Sequence, residues 1–377
     1  MSDLHRRAFL QRGLGAAGLI GLTARLGLSA EGDGPDVSAM TEKAVGFLRP
    51  RQGADGSWSA DRKEPGITAL VVTGLLRSGR VTASEPVITK GLAYLEKFIG
   101  AKGGLSEAPH SVYATSVALM AYQEANQDGR YTSIIKGSQD YLKGAQIDET
   151  EGKSRDDASY GGLGYGGGNS RPDLSNTSFF MEALHDSGLP ADDPALQKAL
   201  IFVSRSQNLK SEFNDQPWAG KVNDGGFVYV PPTRGGPGKG AAKPADAPLR
   251  SAAGMTYAGL KSMIYAGLKP DDVRVKAALE YIKKNYTLDE NPGQGERGLY
   301  YYYQTFAKAF AALGKPTIVD AEGKEHDWRK ELVAALAKRQ AENGSWANHA
   351  DSFMEGDANI VTSFALLALA SAKSVKG

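Results

Sequence analysis

Hydrophobic and polar positions follow a two-part unit that returns six times along the chain. The first part is an amphipathic segment, as in residues 42–48 and 274–283, with charges on one face of a helix. The second part, as in 66–76 and 363–370, is apolar nearly all round, which is typical of a buried helix. The units repeat every 50 to 80 residues or so, which leaves room for two helices of about 12–16 residues each. The pattern predicts six helical hairpins, with the first helices in an outer ring and the second in an inner ring.

A glycine-rich turn links the two helices of each unit. Its clearest copies are residues 52–58 and 340–346, in which a glutamine is followed by glycine and then tryptophan. We expect Gln52, Trp58, Gln340 and Trp346 to have structural roles and to tie each turn to a neighbouring helix end. Weaker copies occupy residues 102–105, 160–165, 223–227 and 295–299, and the threonines that mark the inner helices are Thr68, Thr115, Thr177, Thr256, Thr305 and Thr362.

Six outer and six inner helices predict an all-α fold, a closed (α/α)6 toroid. An open array usually carries atypical capping units at its ends, whereas here the first and last copies are the strongest. We therefore expect residues 31–377 to form a single domain. A ligand would bind where the six turns and the inner helices converge.

The N-terminus, residues 1–30, reads as a targeting segment. His5-Arg6-Arg7-Ala8-Phe9-Leu10-Gln11 resembles the twin-arginine export signal, and small residues at Ser29-Ala30 would suit cleavage. The stretch between is weakly apolar and is interrupted by Arg25, so it is a poor membrane helix. The sequence predicts export to the periplasm or the exterior, with membrane association through an uncleaved signal as a variant. The alternative is an ordinary basic N-terminus.

Residues 231–250 are rich in glycine and proline, which disfavours helix and strand. We expect a flexible loop that projects from the mouth of the toroid, either a plain surface loop or a lid.

Composition narrows the chemistry. The net charge of +1 gives no reason to expect a nucleic-acid partner. The absence of cysteine excludes disulfides, thiolate zinc sites and a cysteine nucleophile. We expect no cofactor, no metal and no obligate protein partner.

The glutamine–tryptophan turns and the threonine-led apolar helices resemble the prenyltransferase and squalene-cyclase repeat superfamily, over roughly residues 37 to 372. The resemblance implies the toroid and an apolar isoprenoid-type ligand. The cyclases' D-x-D-D acid motif is missing. The prenyltransferases' zinc motif is represented by Asp173, but Ser175 stands in place of its cysteine. The resemblance therefore implies a divergent member without zinc.

The candidate site residues lie in the turns that lead into inner helices. Asp173, Asp357 and Glu355 are the candidate catalytic carboxylates, although an aspartate there can also simply cap its helix. Aromatic side chains can stabilise cations or stack on sugars, and they also serve as ordinary packing residues. The side chains that we expect to line a ligand cavity are Tyr165, Arg171, Asp224, Tyr257, Tyr301 and Tyr302.

The sequence leaves three functions open and does not decide whether the protein is an enzyme. In the first hypothesis the chain is an exported protein that binds an apolar isoprenoid-type molecule and possesses or lacks an activity that converts it. Alternatively, it is a polysaccharide lyase or hydrolase, or a non-catalytic binding module on the same scaffold. The isoprenoid hypothesis predicts an aromatic-lined cavity with one deep carboxylate. The polysaccharide hypothesis predicts an open groove with clustered carboxylates, and the binding-module hypothesis predicts a cavity filled by its own side chains.

Overall fold

The computed structural model describes residues 34–59, 62–166, 170–232 and 248–375 of the chain. The predicted signal segment and most of the predicted loop, residues 233–247, lie outside the described residues. The helices are α1 (Val37–Leu48), α2 (Pro65–Arg77), α3 (Pro86–Glu96), α4 (Ser111–Ala125), α5 (Thr132–Gly144), α6 (Leu174–Asp186), α7 (Pro194–Arg205), α8 (Ala253–Tyr265), α9 (Val273–Lys284), α10 (Leu299–Leu313), α11 (Trp328–Arg339) and α12 (Ala358–Ser374).

The even-numbered helices form the inner ring. Each packs against the next, from α2 through α4, α6, α8 and α10 to α12, and α12 packs back on α2. These helices are buried on all sides; in α2 every residue from Pro65 to Leu75 is buried. The predicted closed toroid with inner and outer rings is confirmed.

The odd-numbered helices form the outer ring and bury one face only. In α7 the buried positions include Leu196, Ala199, Leu200 and Val203, which recur at helical spacing on one side. A small antiparallel hairpin, β1 (Thr317–Val319) and β2 (Glu325–Asp327), precedes α11 and was not predicted. Among the described residues, no helix is long and apolar enough to span a bilayer.

The glutamine of a turn joins that turn to the next outer helix. Gln52 Nε2 donates to the carbonyl oxygens of Gly56, 3.0 Å away, and of Val87 in α3, 2.8 Å away. Gln340 repeats the arrangement with Gly344 at 3.0 Å and Met40 in α1 at 2.9 Å. Because Met40 lies in the first helix, the last turn fastens the two ends of the ring together.

The tryptophan and the threonine of each strong copy hold the turn from its other side. Trp58 Nε1 donates to the Leu48 carbonyl at the end of α1 at 2.8 Å, and Trp346 Nε1 makes the same bond to Leu336 in α11. The Trp58 backbone N–H donates to Thr68 Oγ1 at 3.1 Å, which joins the turn to α2. The same bond to the marker threonine recurs at Thr115, Thr177, Thr256 and Thr362.

The fifth unit departs from this pattern. Thr305 instead bonds the carbonyls of Tyr301 and Tyr302 within its own helix, each at 3.0 Å. The marker threonine is the fourth or fifth residue of the other inner helices, whereas Thr305 is the seventh of α10, and Tyr303 holds the fifth position there, as the marker does in α4 and α12. The assignment of Thr305 as the marker of this unit is therefore wrong by two residues.

Candidate functional site

The N-terminal ends of all six inner helices converge on one central cavity of about 310 Å³. This volume is at the lower end of the range for small-molecule pockets, about 300–1,000 Å³. Each inner helix places residues of its first turns in the wall, and the turns before α6, α8, α10 and α12 complete the rim. The lining residues are Glu64, Gly66, Ile67, His110, Tyr113, Tyr165, Ser175, Phe179, Tyr229, Ala252, Gly254, Met255, Asn291, Gln294, Gly298, Tyr301, Phe353, Met354, Ile360 and Phe364.

A chain of aromatic rings runs round the inner wall. Tyr113 of α4 meets Phe179 of α6 with ring centroids 5.4 Å apart and planes at 87°. Phe179 meets Tyr301 of α10 at 6.2 Å, and Tyr301 meets Phe364 of α12 at 6.0 Å. In each of these contacts the edge of one ring lies towards the face of the next, so the four rings pack together as one aromatic wall. Burial raises the pKa of the Tyr113 and Tyr301 phenols, so both remain neutral at ordinary pH.

The polar groups of the cavity lie at its mouth. Glu64 is at the start of α2, and its carboxylate is 3.0 Å from His110 Nδ1 at the start of α4. The Glu64 side chain is 22% exposed and the His110 side chain 48% exposed. Asn291 and Gln294 lie on the opposite rim, before α10. Among the described lining residues there is no lysine or arginine.

Groups of the protein cap most of the helix N-termini that point at the cavity. Asp173 and Asp357 accept hydrogen bonds from backbone N–H groups in α6 and α12, both at 2.8 Å. Glu355 Oε1 accepts from the Tyr301 N–H in α10 at 2.7 Å, and Asn291 Oδ1 accepts from the Gly254 N–H in α8 at 3.3 Å. The backbone carbonyl of Tyr165 accepts from the first turn of α4. At each of these five helix ends, at least one backbone donor is therefore already engaged by a group of the protein.

Asp173 has the most unusual environment of these carboxylates. It is 3% exposed, and burial is the main cause that raises its pKa to about 6. Asn176 opposes this effect, because its backbone N–H and its side-chain amide donate to the two carboxylate oxygens at 2.8 and 2.7 Å. The Asn176 Oδ1 atom is buried and has no hydrogen-bond partner.

The structure brings some of the predicted cavity residues together and separates others. Tyr165 and Tyr301 line the cavity. Asp173, Glu355 and Asp357 lie behind the lining as helix caps, and Arg171 Nη2 donates to the Pro231 carbonyl at 3.1 Å.

Four of the six predicted cavity residues are not among the described lining residues, which corrects the prediction for Arg171, Asp224, Tyr257 and Tyr302. Tyr257 and Tyr302 are at most 1% exposed and pack against each other, 5.6 Å apart, and against Phe306. They belong to the packing between α8 and α10. Asp224 accepts from Ser251 Oγ at 2.7 Å and lines a separate surface cleft.

Sequence reasoning missed the rim residues Glu64, His110, Phe353 and Met354. Phe353 and Met354 are exposed apolar side chains in the left-handed region, with φ of +60° and +62°. Nothing in their sequence signals this conformation. A signal existed for the inner wall, because the residue two before the marker threonine lines the cavity in five units: Gly66, Tyr113, Ser175, Gly254 and Ile360.

The opposite end of the ring carries a buried charge cluster, which we call the Glu182 cluster: Arg77, Glu182, Asp186, Lys261 and Lys308. Glu182, in α6, is 1% exposed and is bonded to Lys261 Nζ at 2.5 Å and to Lys308 Nζ. Arg77 reaches Glu182 at 3.4 Å and Asp186 at 2.5 Å. Burial lowers the pKa of Lys308 to about 8 against the opposing pull of Glu182. Among the residues that the structure describes, no group of three or more His, Cys, Asp or Glu side chains is placed to hold a metal ion.

No protein-family model matches the sequence, and no curated protein matches it either. Solved structures do match the fold. The type II terpene cyclase MstE from Scytonema is 13% identical, with a TM-score of 0.54 over 90% of this chain and 99% of that chain. A D-mannose isomerase is 12% identical with a TM-score of 0.52, over 88% and 96% of the two chains. A GH76 α-mannanase from Bacteroides thetaiotaomicron is 12% identical with a TM-score of 0.55, over 90% and 96%. At these identities the similarity shows the fold alone: the chain is an α/α toroid, as are this terpene cyclase, the isomerase and the mannanase.

Proposed function

We propose that this is an exported protein that binds an elongated apolar small molecule of isoprenoid type in the central cavity. The observation that carries the proposal is the cavity itself: it is enclosed by all six inner helices and walled by Tyr113, Phe179, Tyr301 and Phe364. Aromatic and aliphatic walls with a few polar groups at one end suit a molecule with an apolar body and a polar end.

The neighbouring folds are consistent with this choice. Structures of the terpene cyclase MstE contain geranylgeranyl dihydroxybenzoate as substrate, and they share the toroid at 11–12% identity. The binding of that substrate is known for MstE and not for the present chain. It supports the proposal because a protein of this fold forms a complex with a molecule that carries an isoprenoid chain.

Two features favour the apolar ligand over the alternatives. A glycoside hydrolase needs two carboxyl groups facing a sugar, about 5–10 Å apart, and we expect a lyase of this fold to need at least a carboxylate with a lysine or arginine, neither of which is among the described lining residues. Here the described lining residues include a single carboxylate, that of Glu64. Asp173, Glu355 and Asp357 are engaged as helix caps. A scaffold without a ligand would fill its centre with side chains, whereas this cavity is open.

Conversion of the ligand is a second candidate function, and Asp173 favours it. A carboxyl group with a pKa of about 6 beside an apolar cavity holds its proton more readily than an ordinary aspartate, as a general acid must. If Asp173 acts in this way, Asp173→Asn should abolish turnover and leave ligand affinity within about threefold.

Binding can be tested with a variant that fills the cavity. Gly254 is in α8, its φ is not positive, and a Cβ added there would be 3.7 Å from Tyr301. Gly254→Leu should therefore fold and place its side chain where the ligand lies. Gly46→Leu is the matched control, because an added Cβ on this exposed part of α1 meets no atom within 4 Å.

The measurement is native mass spectrometry with lipid extraction, followed by calorimetric titration with geraniol. We expect Gly254→Leu to weaken binding by about tenfold or more. Lost apolar contacts of the ligand, and overlap of the ligand with the new leucine side chain, each cost about 1–3 kcal/mol. The Gly46→Leu variant should bind as the wild type does. Equal affinity in the two variants, or no binding of any apolar ligand, would overturn the proposal.

Export has a separate test. The resemblance of residues 5–11 to a twin-arginine signal supports it. Replacing both Arg6 and Arg7 by lysine should keep the protein in the cytoplasm of a bacterial host, while the wild type should appear in the periplasmic fraction. An unchanged distribution between the two fractions would refute export by this route.

A further inference from the structure

We propose that the ligand of the central cavity carries a positively charged head, such as a protonated amine or a quaternary ammonium, on its apolar body. The inference rests on the proposed binding function and specifies the chemical class of the ligand. It is carried by the electrostatics of the mouth together with the aromatic wall.

The first argument concerns the charged side chains. Glu64 contributes a carboxylate to the mouth, and its partner there is the half-exposed His110 at 3.0 Å. No lysine or arginine is among the described lining residues. Arg171 and Arg297 lie nearby, but they donate to the Pro231 carbonyl and to Ser352 Oγ. An anionic head would lie close to the Glu64 carboxylate and would find no lysine or arginine among the described lining residues to pair with.

The second argument concerns the helix ends, which at first sight favour an anion. Six inner-helix N-termini point at the cavity, and each carries a partial positive charge of about half a unit. Asp173, Glu355 and Asp357 already neutralise three of them, at 2.7–2.8 Å from the backbone nitrogens. The Asn291 side-chain oxygen and the Tyr165 carbonyl satisfy two more. An anion would have to compete with these groups at five of the six ends, and the sixth end, that of α2, begins at Glu64 itself, whose carboxylate repels an anion.

The third argument concerns the wall. A cation is attracted to the electron-rich face of an aromatic ring, and the attraction is strongest when water is excluded. Tyr113, Phe179, Tyr301 and Phe364 provide a continuous series of rings from four different helices. The Tyr113 ring lies against Gly66, two residues after Glu64 in α2, because a Cβ added to Gly66 would be 2.8 Å from that ring, so the series of rings begins near the carboxylate. An ammonium head would meet both.

The test compares ligands that share one tail and differ in the head. Geranylamine, geraniol, geranic acid and geranyl phosphate are titrated calorimetrically into the wild-type protein at low and at physiological salt. We expect the amine to bind at least tenfold or so more tightly than the alcohol, and the two anions to bind more weakly than the alcohol. Salt should weaken binding of the amine and leave the alcohol unchanged.

A variant isolates the role of Glu64. Glu64→Gln keeps the size of the side chain and removes its charge, so the amine should lose most of its advantage in affinity over the alcohol. Glu42→Gln, on the exposed face of α1, removes one charge far from the cavity and should change nothing.

The outcomes separate the two proposals. If no geranyl ligand binds, the proposed binding function fails. If the alcohol or an anion binds as tightly as the amine, the binding function stands and the cationic head is refuted. The order of the four heads on the wild type decides this even if Glu64→Gln does not fold.

Discussion

Replacement of the buried Asp173 by asparagine should stabilise the protein at neutral pH. The carboxyl group is 3% exposed, and burial raises its pKa from 3.8 to about 6. Each pH unit between these values corresponds to about 1.4 kcal/mol, so at pH 7.5 the buried charge lowers the free energy of unfolding by about 3 kcal/mol. Between pH 3.8 and 6 the folded protein binds more protons than the unfolded chain, so this loss of stability develops as the pH rises. At pH 4.5 it is about 1 kcal/mol.

Asparagine caps a helix about as well as aspartate does, so Asp173→Asn keeps the bond from the Asn176 N–H. The new amide would face the Asn176 amide, which now donates at 2.7 Å. A flip of Asn176 turns its unpartnered Oδ1 towards the new donor. We allow about 1 kcal/mol for this rearrangement, which leaves an unpaired donor in place of an unpaired acceptor. The net expectation is a gain of about 2 kcal/mol at pH 7.5 and about none at pH 4.5.

The assay is urea unfolding followed by circular dichroism at both pH values. Asp357→Asn is the control, because Asp357 caps α12 in a half-exposed position and should change stability by less than about 0.5 kcal/mol. The reasoning is refuted if Asp173→Asn is less stable than the wild type at pH 7.5, or if the difference between them does not depend on pH. A natural chain that keeps this charge gives up stability, which is typical of functional sites.

Two further predictions concern the ring itself, and both can be measured by urea unfolding. Glu182→Gln should lower the free energy of unfolding by about 3–5 kcal/mol, because Lys261 and Lys308 would lose the carboxylate that both ammonium groups contact; a loss below about 1 kcal/mol would contradict this. Gly344→Ala should cost more than about 2 kcal/mol, since φ is +88° and the new Cβ would be 2.3 Å from the Lys43 carbonyl oxygen. Gly79→Ala, with φ of +69° but nothing within 4 Å, should cost about 1 kcal/mol, and equal losses at both glycines would show that contact with α1 is unimportant.

The ring could be predicted from the sequence because its pattern is carried by burial. A helix that is apolar all round, as α2 is, must be inside, and one with a single apolar face, as α7 is, must be outside. The fifth unit could not be placed by the same reasoning. Thr305 matches the repeat in type but lies two residues too late, and a hydrogen bond rather than hydropathy decides the register.

The site could be predicted only to the level of its location. The tyrosines that open α10 look equivalent in sequence, yet neighbouring residues of a helix point about 100° apart. Tyr301 therefore faces the cavity while Tyr302 is buried in the packing against α8. The rim was missed for a different reason: Glu64 and Phe353 come together through the ring closure between α12 and α2, which brings opposite ends of the chain to one place.

The two ends of the ring differ in a way that decides how a ligand enters. At the end of the Glu182 cluster, opening the ring would separate Glu182 from Lys261 and Lys308 and leave buried charges unpaired. At the mouth, the carboxylates serve as helix caps, and the side-chain contact that crosses the opening among the described lining residues is the hydrogen bond between Glu64 and His110 at 3.0 Å. Displacing that half-exposed pair costs little, because surface ion pairs contribute about 0–1 kcal/mol. We therefore expect a ligand to enter past Glu64, polar end last, so that its head comes to rest beside this carboxylate.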